Sequence, residues 1–62
     1  MCESDVYIVE NNKEKVLLNE VSSLKLENNT VWLQNIYGEK KKVEGVKRII
    51  VNFIEHKALI EI

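Results

Sequence analysis

Pairs of turn-forming residues divide this chain into short apolar segments, and their spacing constrains the fold more than any other feature. Asn11-Asn12 and Asn28-Asn29 each follow a segment rich in apolar residues, and asparagine tolerates the left-handed backbone of tight hairpin turns. Gly38 ends a third segment and can adopt a positive φ. Short, regular spacing of this kind is typical of antiparallel strands rather than of strands that alternate with helices. The sequence therefore predicts an all-β protein.

The segments between the turns predict six or seven short strands. The region from Val46 to Ile54 also fits one face of a helix, because its apolar residues recur at intervals of three and four. Valine and isoleucine dominate this region and lower helix propensity, so we favour a strand. We expect Ser22-Ser23 to break one run, Gly45 to mark a bulge or sharp bend, and residues 55–57 to form the last turn. The predicted strands cover residues 4–9, 15–21, 24–27, 30–37, 46–54 and 58–62.

A chain of 62 residues has no room for a second layer of structure, so a sheet of short strands must curl to bury an apolar face. We expect one domain over residues 1–62, folded as a small antiparallel barrel or tight sandwich. A domain of this size hides only about 60% of the surface that its unfolded chain exposes. The single cysteine cannot form an intrachain disulfide, and no proline protects the edge strands. These features favour a homodimer or a bound metal as an additional source of stability.

Charge and hydropathy exclude several classes of protein. The formal net charge is −1, so we expect no general attraction to nucleic acid or to anionic lipid. No segment approaches the roughly 18 apolar residues of a membrane span, and the amino-terminal region lacks the basic and apolar pattern of a signal peptide. We therefore expect a cytoplasmic protein, in a compartment where a lone thiol stays reduced and available to metals.

Cys2, the only cysteine, is the candidate metal ligand. Its thiolate and nearby amine or amide nitrogens form a donor set that suits nickel(II) or copper(II). Removal of Met1 would change which nitrogens are available, so we assign only the sulfur of Cys2 and leave the nitrogen ligands unassigned. One chain offers too few side-chain ligands for a closed zinc site, whereas a two-fold dimer would supply two thiolates to one ion. The acids Glu3, Asp5 and Glu10 would draw cations toward Cys2, unless they simply form a solvated strand face.

The alternative interpretation of Cys2 is an inert terminal residue in a structural interaction module. His56, the only histidine, lies between two charged residues at a predicted turn, where a solvated side chain is more common than a ligand. Cys2 and His56 are the available nucleophile and base, and no signature brings them together. The two glycines stand apart, so no glycine-rich phosphate loop is present in the sequence. We expect a protein that is not an enzyme.

A basic segment provides the alternative function. Lys40, Lys41 and Lys42 are consecutive and form a basic segment together with Lys47 and Arg48. Small β-barrels bind single-stranded nucleic acid when aromatic side chains share the basic face. Trp32 and Tyr37 are the candidate aromatics. Glutamates flank the lysines and the whole chain is slightly acidic, so a solvated strand face explains the segment more simply than RNA binding does.

Short motifs follow one another in a fixed order through nearly the whole chain: Met1-Cys2, Val6-Tyr7, Gly38-Glu39, Val43-Glu44-Gly45, Ile50-Val51-Asn52-Phe53 and His56-Lys57. Together they resemble the CooT family of small nickel-binding proteins. The resemblance implies a small β-barrel homodimer that holds one nickel(II) ion, with Cys2 as the essential ligand. It also implies nickel supply to carbon monoxide dehydrogenase or a related nickel enzyme and its maturation machinery. Older descriptions of such sequences predicted RNA binding. Asn52 and Ala58 depart from the pattern, which has an acid and a larger aliphatic residue there.

Overall fold

The computed structural model describes residues 3–62 and contains six strands in one sheet. No helix occurs among these residues, and hence none that could cross a membrane. The prediction of an all-β protein with six or seven strands is confirmed. The strands are β1 (Ser4–Glu10), β2 (Lys13–Glu27), β3 (Thr30–Asn35), β4 (Lys40–Val43), β5 (Arg48–Asn52) and β6 (Lys57–Glu61).

The sheet has the strand order β4-β3-β2-β1-β6-β5. Buried side chains of β3 and β6 belong to one core although two strands separate β3 from β6, so the single sheet curls around its own inner face. Within residues 3–62 no strand ladder joins the two edges, β4 and β5. Instead, Asn29 links the β2–β3 turn to the β4–β5 connection: its carbonyl accepts a hydrogen bond from Val46 N at 2.9 Å, and its Nδ2 donates to Val46 O at 3.0 Å. The fold is thus barrel-like without being closed by strand pairing.

Asparagine pairs form both tight hairpins, as predicted. Asn11 and Asn12 have φ angles of 53° and 63°, and Asn28 and Asn29 have φ angles of 51° and 61°. Positive φ at both central residues is the geometry that matches the right-handed twist of two paired strands. These turns fix the registers of β1 with β2 and of β2 with β3.

The predicted break at Ser22-Ser23 is wrong, because β2 runs without interruption through 15 residues. The bend occurs at Glu20, whose φ is 54°, and the register with β3 shifts between Val21 and Ser23. Glu20 N donates a hydrogen bond to Asp5 Oδ1 at 3.1 Å. This bond satisfies the Glu20 N–H, which the irregularity removes from the β1–β2 ladder. The bend lets one strand pair with β1 along its first half and with β3 along its second.

One strand pair differs from the expected antiparallel arrangement. β1 and β6 are parallel, with Asp5 opposite Lys57 and Val9 opposite Glu61, while the other four pairs are antiparallel. β1 therefore has a hydrogen-bonded neighbour on each side, and its residues from Ser4 to Val9 are half-buried except for Val6, which is buried. The region read as strand or helix contains strand β5, and Gly45 forms the predicted bend with a φ of 72°.

The core is small and consists mostly of β-branched side chains. Ile60 and Val31 are fully buried and Val6 is 1% exposed. These side chains lie on β6, β3 and β1, so the core connects both halves of the curled sheet. The remaining buried apolar residues are Leu18, Val21, Leu33, Val43, Val46 and Ala58.

Candidate functional site

Cys2, the predicted metal ligand, lies outside the described residues. Among residues 3–62, no three histidine, cysteine, aspartate or glutamate side chains are grouped so that they could hold a metal ion. The surroundings of the candidate site are therefore defined by the residues at the beginning of β1 and by the elements against which they pack.

An apolar groove opens beside the beginning of β1, and we call it the terminal groove. It has a volume of about 270 Å³. Ser4 and Val6 contribute one wall, residues 21–24 of β2 contribute another, and Val51 and Phe53 contribute the third. The turn after β5 is unusually exposed for its composition, since Phe53 is 82% and Ile54 is 93% solvent-accessible. The full lining is Ser4, Val6, Val21, Ser22, Ser23, Leu24, Val51, Phe53 and Ala58.

The β5–β6 turn is attached to the beginning of β1. Asn52 Oδ1 accepts a hydrogen bond from Glu55 N at 2.9 Å, which closes the turn. His56 has a φ of 53°, and its carbonyl accepts a hydrogen bond from Asp5 N at 2.9 Å. The prediction that His56 is an exposed turn residue is confirmed. Its position beside β1 follows from the parallel β1–β6 pairing, for which the sequence contains no local signal.

Acidic side chains are concentrated around the same end of β1. The Tyr37 hydroxyl donates a hydrogen bond to Glu20 Oε2 at 2.8 Å. This bond raises the pKa of Tyr37 above 10.0, and the charges of Glu20, Glu3 and Glu39 act in the same direction. Asp5 lies one strand away, where it accepts the Glu20 amide. Three carboxylates therefore act electrostatically on one exposed phenol near the beginning of β1.

Glu10 does not belong to this group. It pairs with Lys13 at the opposite end of β1, next to the first hairpin. Of the three acids that were expected to draw cations toward Cys2, Glu3 and Asp5 lie at the correct end of the strand. Glu20 and Glu39 join them through the fold, although they are distant in sequence.

The basic residues of the alternative hypothesis divide between two edges of the sheet. The three lysines lie on β4, whereas Arg48 on β5 forms a two-pronged ion pair with Glu61, with both N–O distances at 2.9 Å. Trp32 lies beside the lysine edge, because it pairs with Lys42 in the β3–β4 ladder. Tyr37 is held by Glu20 at the acidic end of β1. Only one of the two candidate aromatics therefore accompanies the lysines.

The fold and groove define a small single-sheet all-β protein with exposed apolar surface at the beginning of its central strand. The family model described as CO dehydrogenase accessory protein CooT matches residues 1–61, and the chain therefore belongs to the CooT family. It is also similar to a crystal structure of a chain provisionally assigned as CooT from Carboxydothermus hydrogenoformans. The two chains share 31% sequence identity and superpose with a TM-score of 0.80, over 97% of this chain and 95% of the other. No curated protein sequence matches this chain.

Proposed function

We propose that this protein binds nickel(II) as a homodimer, with one ion held by the Cys2 thiolates of both subunits, and supplies it to the maturation of a carbon monoxide dehydrogenase or related nickel enzyme. Family membership supports the coarser part of this role, because the family is described as a CO dehydrogenase accessory protein. The observation that carries the proposal is the terminal groove. Its lining includes Phe53, which is 82% exposed, and Ser4, which follows the only cysteine by two positions in the sequence.

Exposed apolar surface of this kind favours association with a second copy. Solvent-exposed aromatic and aliphatic side chains that lie together mark interaction sites far more often than isolated ones do. A two-fold dimer uses the same patch on both subunits, so a dimer formed through the terminal groove brings the two β1 strands toward a common axis. Ser4 lines the groove, and two peptide units limit the distance between the Cα atoms of Ser4 and Cys2 to about 7 Å.

The donor chemistry supports nickel(II) over zinc. Two thiolates with amine or amide nitrogens form a mixed sulfur and nitrogen set that suits planar coordination, whereas structural zinc sites need four side-chain ligands in a tetrahedron. The carboxylates of Glu3, Asp5 and Glu20 add negative potential at this end of the protein, which favours the approach of a divalent cation. We further propose that the protein acts in the cytoplasm, where the thiol stays reduced, and that it is a carrier rather than an enzyme.

The experiment is a nickel titration of the wild-type protein and of Cys2→Ser, with one nickel ion per dimer expected for the wild type. The substitution removes the soft ligand and should abolish stoichiometric uptake together with the thiolate-to-nickel charge-transfer absorbance. Val16→Ser is the control, because it also introduces a serine, lies outside the terminal groove and removes no thiolate. Wild-type uptake should weaken as pH falls, since protons compete for the thiolates.

The fold of each variant is checked by its amide spectrum, so that loss of uptake is not confused with unfolding. Equal nickel uptake by Cys2→Ser and the wild type would contradict the proposal. A wild-type protein that binds nickel while remaining monomeric would contradict the dimeric site.

A further inference from the structure

Trp32 lies at the centre of a basic surface on the outer side of β2, β3 and β4. It is the only tryptophan in the chain, and it pairs with Lys25 on β2 and with Lys42 on β4. The next row of the sheet places Gln34 opposite Lys40. We call these five residues the tryptophan face. Since Val31 and Leu33 point into the core, the alternation of the strand directs Trp32 and Gln34 outward.

Two ammonium groups lie against the indole. Lys25 Nζ is 4.6 Å and Lys42 Nζ is 5.9 Å from the ring centroid, distances at which a cation is attracted to the aromatic face. The lysines cover part of the ring, yet the residue remains 37% exposed. The ring therefore brings together two positive charges from the strands on either side of β3 and holds their long side chains in place.

Two glutamates lie beside the three lysines, which leaves a net positive charge on this surface. Lys25 Nζ is 3.9 Å from Glu27, the outer limit of an ion pair, and Lys42 Nζ is 3.2 Å from Glu44. Both pairs are largely exposed, and exposed pairs are worth only about 0–1 kcal/mol. Within residues 3–62, Lys40 forms no ion pair with a carboxylate. A stronger acidic ligand can therefore replace these local partners.

A shallow hollow of about 330 Å³ lies on this surface. Its walls include the Trp32 ring, the side chains of Lys25 and Lys40, and the polar groups of Ser23 and Gln34. Tryptophan is among the residues that are most enriched at the energetic centres of protein interfaces. The hollow thus offers apolar contact in the middle, with hydrogen-bonding groups and positive charges around it.

We propose that the tryptophan face binds an acidic segment of a partner protein. Carboxylates of that segment pair with Lys25, Lys40 and Lys42, and an apolar side chain between them contacts Trp32. Charge complementarity carries this assignment, because the face is positive in a protein whose net charge is −1. The proposal does not depend on nickel or on Cys2.

The arrangement favours an acidic protein over single-stranded nucleic acid. A base that stacks on tryptophan needs an open ring face, whereas Lys25 Nζ lies 4.6 Å above this one and would have to be displaced. Tyr37 is tied to Glu20 away from this surface and cannot provide a second stacking platform. Carboxylates, in contrast, can bind both lysines while the ammonium groups stay against the ring.

Fluorescence of Trp32 provides the test, because the chain has no other tryptophan. The wild-type protein is titrated with poly-L-glutamate at low salt, and a saturable change in emission is expected. Lys25→Gln and Lys42→Gln should each weaken binding by about fivefold, the factor that corresponds to roughly 1 kcal/mol. Lys13→Gln is the matched control: it removes the same charge from the first hairpin, where Lys13 forms no ion pair with a described residue.

Three results would overturn the proposal. The first is an emission that does not respond to poly-L-glutamate, and the second is a control variant weakened as much as Lys25→Gln and Lys42→Gln. The third is tighter binding of oligouridylate than of poly-L-glutamate under the same conditions, which would assign the face to RNA. Cys2→Ser should bind poly-L-glutamate like the wild type, so failure of the nickel proposal leaves this result unaffected.

Discussion

Phe53→Ser should separate dimerisation from folding. Phe53 lies in the turn after β5 and is 82% exposed in the single subunit, so its side chain contributes little to the folded monomer. In the proposed dimer the same side chain lies in the interface twice, once from each subunit, because a two-fold interface repeats every contact. The substitution should therefore leave subunit stability nearly unchanged and weaken association strongly.

The size of the effect follows from the exposed area. A phenylalanine buries roughly 150–250 Å² when it is fully covered, so a side chain that is 82% exposed offers on the order of 150 Å² to a partner. At about 25 cal/mol per Å², this area is worth up to about 4 kcal/mol per subunit. Association costs and incomplete burial reduce the gain, so we expect a total loss of at least about 3 kcal/mol, or a dimer dissociation constant raised more than about 100-fold.

The assay is sedimentation over a range of protein concentrations, with and without nickel(II), for Phe53→Ser and the wild type. Val51→Ser and Val16→Ser form a matched pair of controls, because both valines are about half exposed but only Val51 lines the terminal groove. Val51→Ser should weaken the dimer and Val16→Ser should not. A dissociation constant for Phe53→Ser within about twofold of the wild-type value would refute the assignment of this surface to the dimer.

Further substitutions test individual contacts. In the folded protein the hydrogen bond to Glu20 raises the pKa of Tyr37, so this contact stabilises the fold below the unfolded pKa of 10.0, and the stabilisation is lost as pH rises through the folded pKa. Glu20→Gln should therefore lower the pKa of Tyr37 toward 10.0 in a tyrosinate absorbance titration, and an unchanged pKa would contradict the contact. Asn35→Ala removes the acceptor of two turn N–H groups and should cost about 1–3 kcal/mol in urea denaturation, whereas the exposed neighbour substitution Gln34→Ala should cost less than about 0.5 kcal/mol. His56→Asn retains a residue suited to positive φ and should keep the wild-type nickel stoichiometry, while loss of nickel by a folded variant would add the imidazole to the ligands.

Local turn chemistry made much of the fold predictable. The asparagine pairs define two hairpins because asparagine accepts the left-handed conformation, and Gly38 and Gly45 supply positive φ at two of the other three turns. The apolar alternation around Leu24 and Leu26 correctly indicated a strand. These signals act over a few residues, so they can be read without knowledge of the final packing.

Non-local pairing accounts for the features that the sequence did not indicate. Ser22-Ser23 has the composition of a strand break. β2 nevertheless stays extended there, because it pairs with β1 up to Val21 and with β3 from Val21 onward. The parallel pairing of β1 with β6 joins residues about 50 positions apart. This pairing places His56 beside Asp5 and, together with the bend at Glu20, assembles the groove and the acidic end around β1. Cys2 is the candidate ligand from the sequence because it is the only thiol, whereas the apolar groove at the beginning of β1 depends on the long-range topology.

The two edges of the sheet differ in a way that couples dimerisation to metal binding in the proposed arrangement. β4 carries three consecutive lysines, which discourage strand addition, whereas β5 presents Ile50 and Val51 beside the terminal groove. A second copy is therefore expected at the β5 side, close to the beginning of β1. Nickel held by both subunits then stabilises the dimer by mass action, and the dimer must stabilise nickel binding by the same free energy. Consequently Phe53→Ser should weaken nickel binding at dilute protein concentration, although Phe53 supplies no ligand, whereas a site formed within one subunit would keep its nickel affinity.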